Sequence, residues 1–90
     1  MRLDPEYLAA HNDLGNGLYT RGDLDGAIVE YREALTLNSN YSYAHYNLGL
    51  ALEKKSDRRG ALEEYRAAYT LNPKEPVFKS ANERLLQAVK

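Results

Sequence analysis

Apolar residues recur at helical spacing along almost the whole chain. Ala10, Leu14 and Leu18 stand at i, i+4 and i+8, one face of a 3.6-residue period. Thr20-Arg21-Gly22-Asp23 breaks that pattern, with Gly22 suited to a left-handed C-cap and Asp23 to an N-cap. Leu24, Ala27, Ile28, Tyr31, Ala34 and Leu35 then follow i, i+3, i+4, i+7, i+10, i+11, a second amphipathic helix. The plan returns with Ala44, Leu48 and Leu52, a break at Lys55-Ser56-Asp57, then Ala61, Leu62, Tyr65, Ala68 and Tyr69. Asn38-Ser39-Asn40 and Asn72-Pro73-Lys74 punctuate the ends of these units. Asp4 before Pro5 is a start signal for the first helix. Residues 75–90 predict a fifth helix, with Phe78, Ala81, Leu85 and Val89 on one stripe and Lys79, Asn82, Glu83 and Gln87 on the wet side. Tyr41–Ala44 alternates too briefly for a strand, so the pattern predicts an all-α chain.

The two units are copies. Shifted by 34 positions, residues 8–41 fall on 42–75 with fifteen identities and no gap. Composition alone would give about two. Ala10, His11, Leu14, Gly15 and Leu18 return as Ala44, His45, Leu48, Gly49 and Leu52. Asp23, Gly26, Ala27, Glu30 and Tyr31 return as Asp57, Gly60, Ala61, Glu64 and Tyr65. Two antiparallel helices approach to roughly 8–10 Å only where the crossing residues are small. Gly15 with Ala27, and Gly49 with Ala61, are placed for that crossing. Tyr31 and Tyr65 are expected to fill the gap to the next helix, their hydroxyls needing a partner or a wet edge.

This set of small and large positions resembles the tetratricopeptide repeat. It stands here as Ala44-x-x-x-Leu48-Gly49-x-x-Leu52, Gly60-Ala61, Tyr65, Ala68 and Asn72-Pro73, with a matching first copy. The resemblance implies an α-solenoid of two antiparallel helix-turn-helix repeats, residues 8–41 and 42–75, capped by a helix over 75–89, all in one domain of residues 1–90. Some positions depart from the pattern. Ser39 stands where the second copy has Pro73, Arg58 replaces Leu24, and Asn82-Glu83 occupy the Leu-Gly place of a third repeat.

Members of the family bind peptides or proteins in a concave groove lined by the first helix of each pair. The matching positions are Ala9, Asn12, Asp13, Asn16, Tyr19 and Thr20, then Tyr43, Tyr46, Asn47, Leu50, Glu53 and Lys54. They lie off the Leu14/Leu18 and Leu48/Leu52 stripes and so are expected to point away from the core. Asn12, Asn16 and Asn47 offer donors and acceptors to a peptide backbone, and Tyr43 and Tyr46 offer stiff contact area. Replacing Tyr46 and Asn47 by Ala is expected to abolish binding with little effect on stability. Some members clamp an acidic C-terminal carboxylate with Lys, Asn, Asn, Lys and Arg. Asn16 and Asn47 match the two Asn, whereas Asn12, Val77 and Ala81 stand where the cations would be, so an acidic-tail clamp is not expected. Asp13 and Glu53 tilt the groove toward a neutral or basic segment.

Composition narrows the rest. Ninety residues, 43% hydrophobic and 28% charged, make one small domain, and the absence of cysteine excludes disulfides and thiol chemistry. A net charge of −1 argues against nucleic acid and membrane surfaces as partners. His11 and His45 share one repeat position, but stacked equivalents lie roughly 10 Å apart, too far for one metal ion. Asp25/Glu30 and Glu63/Glu64 read as solvated helix charges, and Lys54-Lys55 with Arg58-Arg59 as a solvated corner. The expectation is a cytoplasmic, non-enzymatic adaptor without cofactor, binding a protein or peptide as a monomer or weak homodimer. Leu3, Tyr7 and Leu8, or Leu86, are candidates for self-association. The alternative is a purely structural segment of a longer array or a self-associating, homodimerising unit.

Overall fold

The computed structural model describes residues 5–88. They form five helices, α1 (Pro5–Thr20), α2 (Leu24–Leu37), α3 (Ser42–Lys54), α4 (Arg58–Leu71) and α5 (Pro76–Ala88), with no strand among the described residues. Asp4 and Val89, assigned above to a helix start and to the last apolar stripe, lie outside that range.

Local chemistry sets the turns. Asp23 and Asp57 each accept the backbone N–H three residues on, Gly26 and Gly60, at 3.0 Å, which satisfies one orphan donor at the start of α2 and α4. The preceding residue is in the left-handed region in both copies, Gly22 at φ 87° and Ser56 at φ 69°. Only the first copy uses the residue for which that conformation costs little. At the other end, the N–H of Asn38 returns to the carbonyl of Ala34, and that of Asn72 to Ala68.

α1 pairs with α2 and α3 with α4, α2 packs on α3, α4 on α5, and α1 touches α3. The core runs between the layers through Ala27, Ile28, Tyr31, Leu48, Ala51, Leu52, Ala61, Tyr65, Ala81 and Leu85. The two tyrosine rings are fully buried. They lie on the glycines of their own hairpins, within the core cluster that also holds Leu48 of α3 and Leu85 of α5. A Cβ at Gly15 would stand 2.5 Å from Tyr31 Cε1, and one at Gly49 would stand 2.6 Å from Tyr65 Cε1. The repeat therefore needs glycine there because the ring occupies the space a side chain would take.

One stripe departs from the sequence pattern. Leu48 is 3% exposed but its equivalent Leu14 is 53% exposed, and Ala10 is likewise open where Ala44 is buried. The cause is position in the stack: α2 covers this face of α3, and none of the described helices covers the same face of α1. No helix among the described residues is long and apolar enough to cross a membrane.

Candidate functional site

The first helices of the two hairpins, α1 and α3, touch, and of the expected groove positions Tyr19, Leu50, Glu53 and Lys54 line one hollow while Asn12 bonds Asn47. Asp13, Asn16, Thr20, Tyr43 and Lys54 are exposed, and Ala9, Tyr19, Tyr46, Asn47, Leu50 and Glu53 are half-buried. Asn12, at 7% exposure, is buried. Its carbonyl oxygen accepts Asn47 Nδ2–H at 2.9 Å, a bond from α3 back to α1. A buried amide is retained only with such a partner, so Asn12 fastens the two hairpins to each other.

The buried tyrosines reach the same face. Tyr31 donates its hydroxyl to Asn16 Oδ1 at 2.6 Å. Burial, with a smaller contribution from Tyr19, pushes its pKa up to about 12, so it remains a donor. Tyr65 donates to Glu53 Oε1 at 2.8 Å, and burial followed by that bond raises its pKa strongly. Glu53 also receives Arg84 from α5 in a fork, Nη1 to Oε2 at 2.7 Å and Nη2 to Oε1 at 2.8 Å. Arg84 holds the Glu53 carboxyl below the usual carboxylate range, with burial opposing and the Tyr65 bond adding to the effect. Of the two acidic residues expected to tilt the groove toward a neutral or basic segment, Glu53 has its charge matched from inside the fold, and Asp13 is exposed. Arg84 carried no weight in the sequence reading. Its signal is register: 84 follows 50, and 50 follows 16, by one repeat length.

The tyrosines on α3 are engaged as well. The Tyr46 ring sits 5.7 Å from that of Tyr65 and 5.3 Å from that of Phe78. Tyr43 meets Phe78 edge-on at 5.1 Å, and its hydroxyl donates to Glu75 Oε2 at 3.0 Å. Both therefore seat α5, whatever else they do. What stays open is a hollow of about 240 Å³ lined by Tyr19, Leu50, Glu53 and Lys54. Its walls combine apolar surface, one neutralised carboxylate and one free-standing lysine chain, a lining suited to binding an organic segment.

The histidines lie elsewhere. His11 Nδ1 is 2.7 Å from Glu30 Oε1, and His45 Nδ1 is 3.2 Å from Glu64 Oε2, so each copy ties its first helix to its second. Glu30 and Glu64 are thus half-buried partners of a ring and not the solvated charges expected. Lys54, Lys55, Arg58 and Arg59 are exposed, with Lys55 paired to Asp25 of α2. Among the described residues no group of three or more His, Asp or Glu could hold a metal ion.

Stacked helical hairpins with an internal copy at 34 residues, glycine under a tyrosine ring in each, and an α5 cap define an α-solenoid of helical repeats. A family model for a TPR repeat matches residues 15–56, and one for the tetratricopeptide repeat matches residues 42–75. The chain belongs to the tetratricopeptide repeat family. Among solved structures it resembles the first TPR of Spaghetti (RPAP3) bound to an HSP90 peptide, SRMEEVD, with a TM-score of 0.59 and 17% identity. The match covers 99% of this chain and 98% of that one, and at this identity it concerns the fold. None of the curated proteins matches the sequence.

Proposed function

We propose that the chain is a non-enzymatic interaction module that seats a segment of a partner protein across α1 and α3. The observation that carries this reading is the hollow of about 240 Å³ between Tyr19, Leu50, Glu53 and Lys54. Asn16 supports it, because Tyr31 takes only its carbonyl oxygen and leaves the amide N–H groups for a ligand. The segment is neutral and partly apolar, not an acidic tail. The similar chain is bound to a peptide ending in Glu-Glu-Val-Asp, but here the cation positions of an acidic-tail clamp hold a buried Asn12, Val77 and a buried Ala81.

Amide-shift mapping of the 90-residue chain against pools of random heptapeptides tests the reading. Binding pools are expected to move the amides of Asn16, Tyr19, Leu50 and Lys54. Asp13→Lys and Lys54→Glu are expected to change which pools bind while leaving the unfolding midpoint in place, since both side chains are exposed. Shifts confined to α2, to α4 or to the outer face of α1 would refute it.

A further inference from the structure

The hollow between Tyr19, Leu50, Glu53 and Lys54 is small and chemically uneven. Its volume of about 240 Å³ falls below the roughly 300–1,000 Å³ of pockets that enclose a whole small molecule. It therefore has room for one large side chain of a bound segment. Tyr19 of α1 and Leu50 of α3 pack against the core, which fixes two apolar walls. Of the apolar residues expected to support self-association, Leu8 is buried, Leu3 lies outside the described residues, and Tyr7 and Leu86 are exposed. None of them lines this hollow.

The polar walls narrow the choice of side chain. Glu53 Oε1 takes the Tyr65 hydroxyl and one arm of Arg84, whereas Oε2 takes the other arm alone. Each carboxylate oxygen has two lone pairs to offer, so Oε2 keeps one place for a further donor. Arg84 is the main cause that holds this carboxyl below the usual carboxylate range, and the charge of Arg58 adds to it. Lys55 is paired with Asp25, but the Lys54 ammonium has no partner among the described residues. With Glu53 matched by Arg84, the charges left over near the hollow are those of Lys54 and Arg58. A lysine or arginine side chain entering here would meet two like charges and a carboxylate already neutralised.

A purely apolar side chain fits less well, because it strips water from Oε2 and brings no donor in exchange. An indole meets every wall. Its faces pack on Tyr19 and Leu50, its N–H is a donor without an acceptor, and its π-face is the strongest aromatic partner for an ammonium such as that of Lys54.

We infer that the hollow takes a tryptophan side chain of the partner segment, and that Arg84, by matching Glu53, makes it select a neutral donor over a cation. The inference rests on the function proposed above and names the anchor residue that function requires.

The test uses heptapeptide pools whose central residue is fixed and whose other positions are random over uncharged residues. The fixed residue is tryptophan, tryptophan methylated at the indole nitrogen, phenylalanine, leucine or lysine, and amide shifts of the 90-residue chain report binding. The tryptophan pool is expected to move Tyr19, Leu50 and Lys54 and to bind about tenfold tighter than the phenylalanine and methylated pools, the worth of one hydrogen bond to a charged acceptor. Lys54→Gln is expected to weaken the tryptophan pool by about two- to fivefold and Lys54→Arg to restore it. Arg84→Gln is expected to move the preference toward the lysine pool. Pools that all move these amides equally, or a methylated pool that binds as tightly as the unmethylated one, would overturn the tryptophan assignment and leave the interaction module standing. An unchanged ranking in Arg84→Gln would overturn the role given to Arg84. Pools that never move these amides, whatever the central residue, would overturn the proposed function and the anchor together.

Discussion

Arg84 reaches from α5 to Glu53 on α3 with two hydrogen bonds of 2.7 and 2.8 Å, and the carboxylate they hold also takes the hydroxyl of buried Tyr65. Three helices therefore meet at one side chain. Near its start α5 is held to the same helix by Phe78, whose ring lies against Tyr43 and Tyr46 of α3. The cap helix thus determines how the α3 side of the candidate groove is presented.

Acid should release this junction first. The folded state holds Glu53 ionised more tightly than an unfolded chain would, since its pKa is lowered. Its contribution is present above the unfolded carboxyl pKa and is lost as pH falls through the lower folded value. Urea midpoints taken from about pH 6 down to about pH 3 are expected to fall less steeply in Glu53→Gln than in the parent. Parallel curves would show that the junction does not respond to protons.

Ser56 carries a conformation that its counterpart Gly22 carries at little cost, φ 69° against 87°. A residue with a Cβ in that region costs roughly 1 kcal/mol. Ser56→Gly is expected to stabilise the chain by about that amount, or about 4–8 °C in midpoint, and Gly22→Ser to do the opposite. Calorimetry of the two variants checks the sign of each.

Much of this architecture was legible because the repeat states it twice. The helix periods, the aspartate caps and the small residues at the crossings could all be read without coordinates. Leu14 could not, because it is identical to Leu48 and differs only in having no helix laid over it. Burial of a repeat residue depends on its neighbour in the stack, which the residue itself does not encode. Asn12 and Asn47 read as surface amides, and Asn47 donates to the Asn12 side-chain oxygen across a sequence distance no local pattern spans. Arg84 and Glu53 are 31 residues apart and became partners only once α5 was placed. In the groove, polarity was visible while the pairing that uses it up was not.

Two glycines of the first helices should answer alanine with opposite signs. At Gly49 a Cβ would lie 2.6 Å from the Tyr65 ring and 3.3 Å from the Ala61 carbonyl oxygen, so Gly49→Ala is expected to cost about 1–3 kcal/mol. At Gly17 the space is open, and Gly17→Ala is expected to gain about 0.5–1 kcal/mol from helix propensity. Denaturant midpoints with unchanged m-values would establish both.

The double variant Tyr46→Ala with Asn47→Ala is expected to lose stability, by about 2–4 kcal/mol, contrary to a reading of these residues as contact surface alone. Tyr46 packs between Tyr65 and Phe78, and Asn47 is the partner of buried Asn12. A midpoint within about 2 °C of the parent would return both residues to the partner-binding surface.

His45 gives stability the opposite pH slope. Its Nδ1 faces Glu64 Oε2 at 3.2 Å and its Nε2 faces the Ser39 carbonyl oxygen at 2.7 Å. Both partners are acceptors, so both ring nitrogens donate at once only in the imidazolium form. The bond to Glu64 raises the His45 pKa, burial pulls it down, and the Ser39 carbonyl and the charge of Glu64 add to the rise. A raised folded pKa means that this contribution is complete below the unfolded histidine pKa and fades as pH climbs through the folded value. The ring C–H resonance of His45 is expected to titrate above the ordinary 6.5, and Glu64→Gln to bring that midpoint down. Unfolding midpoints are expected to fall on the alkaline side of that transition in the parent and to stay flatter in His45→Gln. A His45 midpoint at or below the ordinary value would mean that neutral imidazole, donating from one nitrogen only, is the form that joins α3 to α4 and to the turn before it.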